Sequence, residues 1–494
     1  MVAVVRHFRN YLSAGLIGSL IGLVSFPLLT RSLSVEEYGW LGLVSATLTV
    51  FISFGKFGIQ SALLRFFSEA RAQSAEALTT LLSSIAGLAI LLSVLSLAVW
   101  LIYSTWIVPG LPDGEMMRRL YYIAAALVPI KILFSITTSV MKADEKSGFL
   151  GTVTVSEKAA KLLLIVLIIY TVGATAEWVM ASTVLVELVI LAWVMRRGSH
   201  YLGGSRPRLS VPVLTPLVAF GLPAMAGEMV AVALEVGDRY VIQAFMGGEA
   251  LGQYAASVNI SMYLEWVLIL ALQSAIVPYY VRLYEERGRA ETLRFLNGAF
   301  EVYAAVALGV FAVFSAAAPS LIMLLAGERY APGVIVIPWF AAAFVLLGSV
   351  SIAAAGIYID KRPRALAKWV LVAFVTNVSL NILTVPIWGL QAAAVTTFVS
   401  MNVQCLGVYW EAHRTMPVKP PLAVGAISVF AALLALFASR QLPAAGHFTD
   451  MVLRGTAATL LYALTVLALS PTLRRTAFER VQAWRTQQVN RRAT

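Results

Sequence analysis

Fourteen apolar runs, most close to 20 residues long, follow one another along this 494-residue chain, with no connecting loop longer than roughly 20 residues. They begin near Tyr11, Trp40, Leu78, Tyr121, Phe149, Trp178, Val213, Tyr254, Gly298, Val334, Trp369, Gln391, Leu422 and Met451. A run of that length crosses the hydrocarbon layer as a helix, because a helix satisfies its own N–H and C=O groups where there is no water to do so. The chain therefore reads as an all-α polytopic membrane protein with 14 transmembrane helices. Its composition, 60% hydrophobic and 13% charged, excludes a soluble reading. The short loops leave no room for a soluble catalytic domain.

The net charge of +12 resides between the spans rather than on one solvated face, so it reports orientation and not nucleic-acid binding. With both termini on one side, that side collects 26 of the 37 lysines and arginines, including Arg206, Arg208 and six arginines from Arg474 to Arg492. The opposite side receives only Arg31, Arg118, Arg119, Arg239, Arg329 and Arg440. This asymmetry predicts cytoplasmic termini. The basic start at Arg6 and Arg9 followed by a long apolar run predicts a retained first span rather than a cleaved signal. Aromatic residues such as Trp40, Trp106, Trp178, Trp388 and Trp410 stand near span ends, as interfacial belts require.

Against this apolar background, the charges inside the spans stand out. Lys56, Lys131, Lys158 and Lys161 lie in the first six runs beside only Glu157 and Glu187; Glu228, Glu235, Glu265 and Glu301 lie in later runs, with Asp238 and Arg239 closing the seventh. Each mid-membrane lysine costs very roughly 3 kcal/mol, so four imply on the order of 12 kcal/mol that partners, water or an anionic ligand must offset. Lys158 and Lys161, three apart, share a helix face and form a candidate clamp for a diphosphate; Glu157 is the alternative partner that would neutralise them. Glu228, Glu235 and Asp238 form a stripe suited to proton or sodium coupling, with an internal Glu235–Arg239 pair as the alternative. A single cysteine, Cys405, and four histidines outside the runs leave no metal or haem site and no cofactor beyond a possible coupling H+ or Na+.

Hinges are expected at Pro27, Pro129, Pro223, Pro278 and Pro338, and Gly18 and Gly22 form a small-xxx-small pair that lets the first span approach a neighbour. Glu36-Glu37-Tyr38-Gly39 after span 1 is echoed by Glu249-Ala250-Leu251-Gly252 after span 7. That echo suggests two six-span bundles and an appended pair: residues 1–205, 206–415, and 416–494 with its basic tail.

Leu28-Leu29-Thr30-Arg31-Ser32-Leu33-Ser34 running into Glu37-Tyr38-Gly39, then Phe57-Gly58-Ile59 and Ala62-Leu63-Leu64-Arg65-Phe66, resembles the polysaccharide-biosynthesis oligosaccharide flippases (Wzx-type). Their superfamily also holds multidrug extruders and lipid II flippases. Gly252-Gln253-Tyr254-Ala255-Ala256 and Pro278 extend the likeness. The resemblance implies a MATE-like pair of six-helix lobes in pseudo-twofold arrangement, sited in the cell inner membrane. It implies a cargo of undecaprenyl-pyrophosphate-linked oligosaccharide, flipped between leaflets without covalent chemistry for O-antigen, capsule or exopolysaccharide synthesis, in company with a polymerase and glycosyltransferases. In that frame Lys56, Lys131, Lys158 and Lys161 attract the pyrophosphate, and Arg31 and Arg239 receive it on the outer side or anchor the interface. Glu228, Glu235 and Asp238 couple an ion, and Gly18, Gly22, Pro27, Pro223 and Pro278 shape the gate. Lys56 stands where relatives often carry an acid, and span 1 lacks the Arg-Asp pair of lipid II flippases. The competing functions are a multidrug cation antiporter, which the four lysines oppose, and a lipid II flippase. A glycan polymerase would need a long extracytoplasmic loop that this sequence lacks.

Overall fold

The computed structural model describes residues 2–198, 206–265, 268–269, 271–443, 446–471 and 474. Every regular element among them is helical. The helices are α1 (Val2–Ser32), α2 (Val35–Gly55), α3 (Ile59–Gln73), α4 (Ala75–Ile102), α5 (Gly114–Ala124), α6 (Leu127–Ala143), α7 (Ser147–Thr171), α8 (Ala176–Gly198), α9 (Val211–Glu265), α10 (Ala271–Leu325), α11 (Ile337–Ala353), α12 (Ala355–Ile359), α13 (Pro363–His413), α14 (Leu422–Arg440) and α15 (His447–Leu469). Among the described residues ten stretches are long and apolar enough to cross a membrane, and the bent pair α5–α6 makes eleven. Helix α7 misses that threshold because Glu157, Lys158 and Lys161 interrupt it. Including α7, and dividing α9 at Gly247 and α13 at Gly389, brings the described helices to the fourteen expected.

The helices start and stop for local reasons. Ser34 caps α2 by accepting from the Glu37 N–H, while Glu37 returns a carboxylate to the Ser34 N–H, a reciprocal capping box. The other Glu37 oxygen accepts from the Ala176 N–H at 3.1 Å, so one side chain closes the N-termini of α2 and α8. Long helices break at glycines in extended or left-handed conformations: Gly247 at φ 81°, Gly288 at φ 75° and Gly389 at φ 64°.

The prolines expected as hinges lie within continuous helix or at its start. Backbone dihedrals stay helical through Pro27, Pro223 and Pro278, as they do through Gly18 and Gly22. A proline inside a membrane helix removes one hydrogen bond without forcing a break, whereas a positive φ ends the helix outright. Pro129 does coincide with a bend, the 42° turn between α5 and α6, just before the ring. Pro338 lies in the first turn of α11, where a missing N–H costs nothing.

Contacts group the chain into two units, Met1–Ala255 and Ala256–Thr494. In the first, α1 packs on α7, α6 contacts α3, α4 and α8, and Ala46 on α2 meets Val232 and Val236 on α9. In the second, α10 is the hub for α11, α14 and α15. Alanines make that hub possible: Ala312, Ala316, Ala431, Ala432, Ala435 and Ala458 are buried in one seam that lets backbones approach closely. Beside it an apolar groove of about 900 Å3 runs between α10 and α15.

Candidate functional site

Helix α2 ends at Lys56 in the middle of a 39-residue apolar stretch, and three residues of turn lead into α3. Gly58 makes the turn possible. Its φ is +68°, and a Cβ there would sit 1.9 Å from the Gly221 carbonyl oxygen of α9. The interrupted backbone is thus buried against protein and meets its own carbonyls, Lys56 N–H to Ile52 O and Ile59 N–H to Lys56 O, both 2.9 Å.

The Lys56 ammonium meets Glu228 Oε1 at 2.6 Å, with side chains 11% and 25% exposed. Ser53 Oγ donates to the same oxygen at 3.0 Å, and Gln60 Nε2 donates to Glu228 Oε2 at 2.9 Å. Gln60 in turn accepts from Ser135 Oγ at 3.4 Å. The carboxylate is therefore held by one charge and two neutral donors, the fully satisfied condition in which a buried ion pair is tolerated.

One turn before Ser135 on α6 stands Lys131, and with it a second cluster begins. Lys131 pairs with Glu157 at 3.4 Å and with Glu187; Lys161 pairs with Glu157 at 2.7 Å and with Glu187. The Glu187 side chain is wholly buried, and its Oε2 has no hydrogen-bond partner among the described residues. The polar path from Glu228 through Gln60, Ser135 and Lys131 to Glu187 crosses α9, α3, α6 and α8. Along it three lysines face three glutamates.

Lys158 stands apart from this balance. It is half-buried near the middle of α7 and has no ion pair among the described residues. Its stem lies against α1 at Gly18, where an added Cβ would come 3.0 Å from both Cδ and Nζ of the lysine. The partners of Lys161 lie on α7 and α8, whereas Lys158 faces α1. The two ammonium groups that sequence spacing suggests as a clamp thus have different neighbours.

The remaining expected residues fall in distinct environments. Glu235 is exposed. Asp238 is buried and accepts a hydrogen bond from Tyr254. Arg239 Nη1 donates to the Gly42 carbonyl at 3.2 Å, and its Nε has no partner among the described residues. Arg31 is exposed in the last turn of α1, and Gly22 and Pro27 line the same helix half-buried. Glu228, Glu235 and Asp238 therefore lie along one helix but not in one environment: paired, exposed and buried in turn.

Sequence reading missed the polar neutral residues. Ser53, Gln60 and Ser135 hold Glu228 in place, and the Thr47 hydroxyl contacts Tyr121 at 3.0 Å and Tyr240 at 2.9 Å. Gln60 carried the only usable signal, an amide inside an apolar run just past a glycine.

Residues 4–284 match the family described as "Polysaccharide biosynthesis protein", which is more than half of the chain. The chain belongs to this family. The fold of this polysaccharide biosynthesis protein also matches solved transporters. A lipid II flippase MurJ in an inward closed conformation aligns at TM-score 0.77 and 12% identity, covering 93% of this chain and 98% of that one. An inward-facing multidrug resistance MATE family transporter of the MOP superfamily aligns at 0.65 and 15% identity, covering 81% and 94%. A MOP superfamily transporter from Pyrococcus furiosus, described as having a binding pocket of reverse polarity, aligns at 0.55 and 14% identity, covering 84% and 95%. No curated protein matches the sequence. The fold is the one these solved MOP superfamily transporters share, and the long apolar helices are those of a multi-pass membrane protein.

Proposed function

We propose that this protein turns a polyprenyl-pyrophosphate-linked oligosaccharide from the inner to the outer leaflet by alternating access, breaking no covalent bond in the cargo. The observation that carries the reading is Lys158. Lys56, Lys131 and Lys161 are neutralised by Glu228, Glu157 and Glu187, whereas the Lys158 ammonium lies half-buried near mid-span against a glycine. Such a charge needs water or an anion beside it. At about 4 Å and an effective dielectric near 20, a phosphate charge beside it is worth roughly 4 kcal/mol, enough to lodge a headgroup transiently.

Sugar hydroxyls each cost several kcal/mol in hydrocarbon, while a polyprenyl tail belongs there, so the two ends of the cargo need separate paths. The headgroup takes the hydrated route past Lys158, and the neutral network around Lys131 and Lys56 fixes the helices that line it. Arg31 and Arg239 receive the pyrophosphate after inversion, and Glu235, exposed and with no ion pair among the described residues, is the foremost candidate for H+ or Na+ coupling, ahead of Glu228 and Asp238. Gly18 and Gly22 give α1 the thin face a moving gate helix needs. The site is the cell inner membrane, with both termini cytoplasmic and the product passed to a polymerase for O-antigen, capsule or exopolysaccharide. A multidrug cation exporter would place an acid at this position, not a lysine with no ion pair among the described residues.

The test is inversion of lipid-linked oligosaccharide in proteoliposomes, with lipid II and a cationic dye as parallel cargoes. Lys158→Gln is expected to abolish oligosaccharide inversion. Unaltered inversion in that variant, or transport of the dye alone by the wild type, sinks the reading.

A further inference from the structure

Away from the charged network, a cavity of about 290 Å3 lies in the first unit between α4, α6 and α8, at the end of the bundle where α4 begins and α8 finishes. Leu82, Ile85 and Ala89 form its buried apolar floor, while Ile90 and Met195, 46% and 47% exposed, stand at its lipid-facing rim. Pro207 also lines it, and its neighbours in the chain, Arg206 and Arg208, are both exposed and without an ion pair among the described residues.

The placement of that arginine segment is built into α4. The Arg208 N–H donates to the Ser83 carbonyl at 3.0 Å. A Cβ on Gly87 would sit 2.2 Å from the Arg208 carbonyl oxygen, so only a glycine lets the segment lie this close. The backbone that carries two exposed arginines is thereby fixed beside an apolar cavity at the end of the bundle that the charge asymmetry marks as the basic face. Arg196 and Arg197, in the last turn of α8 beside Met195, add to the same positive field.

We propose that this cavity binds one acyl chain of an anionic phospholipid, whose phosphate Arg206 and Arg208 hold. The shape takes a chain of methylenes, and the guanidinium pair recognises a phosphate bearing net negative charge in preference to a zwitterion, whose own cation would face the arginines. The site shares no residue with the network of Lys56, Lys131, Lys158 and Lys161, so it stands whether or not the flippase reading does.

Native mass spectrometry of the full chain in detergent, titrated with phosphatidylglycerol or with phosphatidylcholine of the same acyl chains, tests this. The wild type is expected to prefer phosphatidylglycerol by about tenfold. The double variant Arg206→Ala, Arg208→Ala, which changes only exposed side chains, is expected to lose that preference. Ala86→Phe, which fills the cavity, is expected to lower retention of both lipids. Equal retention by the wild type, or a preference that survives in the arginine double variant, overturns the proposal. So does a preference that survives in Ala86→Phe, since the lipid would then sit elsewhere on the surface. Displacement of phosphatidylglycerol by polyprenyl phosphate in the wild type but not in Ala86→Phe also overturns it, by giving the cavity to the cargo's tail.

Discussion

The Nζ of Lys56 stands 2.6 Å from Glu228 Oε1, across a sequence separation of 172 residues. The pair joins the end of α2 to the middle of α9 beneath the glycine contact of Gly58 with Gly221. Breaking a buried pair by removing one partner strands a charge, whereas removing both leaves neutral groups that can still hydrogen-bond. Lys56→Met alone is therefore expected to destabilise by about 3 kcal/mol or more. The double variant Lys56→Gln, Glu228→Gln should recover most of that loss. Thermal melts of the two variants beside wild type in one detergent check it; equal losses would show that the pair is not coupled.

Lys158 and Lys161 should separate function from stability. Lys161→Ala leaves Glu187 and Glu157 sharing only Lys131, so a drop of several kcal/mol is expected. Lys158→Ala removes a charge that has no ion pair among the described residues and should leave the melting midpoint unchanged or raised while abolishing inversion. Melting and inversion measured on the same preparations distinguish the two. A destabilised Lys158→Ala with proportionate loss of inversion would assign that lysine to structure.

The fold was readable because hydrocarbon imposes one rule on every span: twenty apolar residues, helical, bounded by charge. The site was only partly so. Lys158 declared itself as a charge in an apolar run, and it has no ion pair among the described residues. Lys56 and Glu228 declared themselves equally, but sequence spacing places them in different bundles, and only three-dimensional packing brings α9 beside α2. The helix breaks at Gly247, Gly288 and Gly389 were not legible, because these look like ordinary membrane glycines until the backbone needs a positive φ. Pro207, Arg206 and Arg208 read as a basic loop, with nothing in their sequence to reveal the cavity behind them.

Gly58 carries two constraints at once, and Gly173 allows them to be separated. Gly173 has φ +84° but open space around its Cβ position, so Gly173→Ala should cost only the left-handed conformation, about 1 kcal/mol. Gly58→Ala adds a collision with the Gly221 backbone that no side-chain rotation relieves, and should abolish folded, monodisperse protein or lower its midpoint far more. Size-exclusion profiles and melts of the pair check this. Equal effects would mean that α9 can withdraw from the α2–α3 turn at no cost.

Ion coupling distinguishes Glu235 from Glu228. Glu235 is exposed, so Glu235→Gln should leave stability within about 0.5 kcal/mol. If Glu235 is the coupling acid, inversion in Glu235→Gln proteoliposomes becomes indifferent to an imposed proton or sodium gradient. Glu228→Gln instead strands Lys56 and should lower the melting midpoint whatever its effect on coupling. A gradient response in Glu235→Gln equal to wild type removes Glu235 from that role.

In the second unit, Tyr462 of α15 donates to the Ala305 carbonyl of α10 at 2.5 Å, and its ring lies over Gly309, where a Cβ would come within 2.7 Å. The Ala305 carbonyl already accepts within its own helix, so the hydroxyl adds a second bond to an oxygen that is not otherwise orphaned. Tyr462→Phe should accordingly cost no more than about 1 kcal/mol. Gly309→Val has no such reserve, because the ring must move, and with it the alanine seam of Ala312, Ala316 and Ala458 that seats α15. It should destabilise by about 2 kcal/mol or more through overpacking and widen the groove between the two helices. Melts read the first effect, and a cysteine pair placed across the groove reads the second by its slower oxidation. A Gly309→Val protein as stable as Tyr462→Phe would mean that α15 is held by the surrounding apolar residues rather than by this contact.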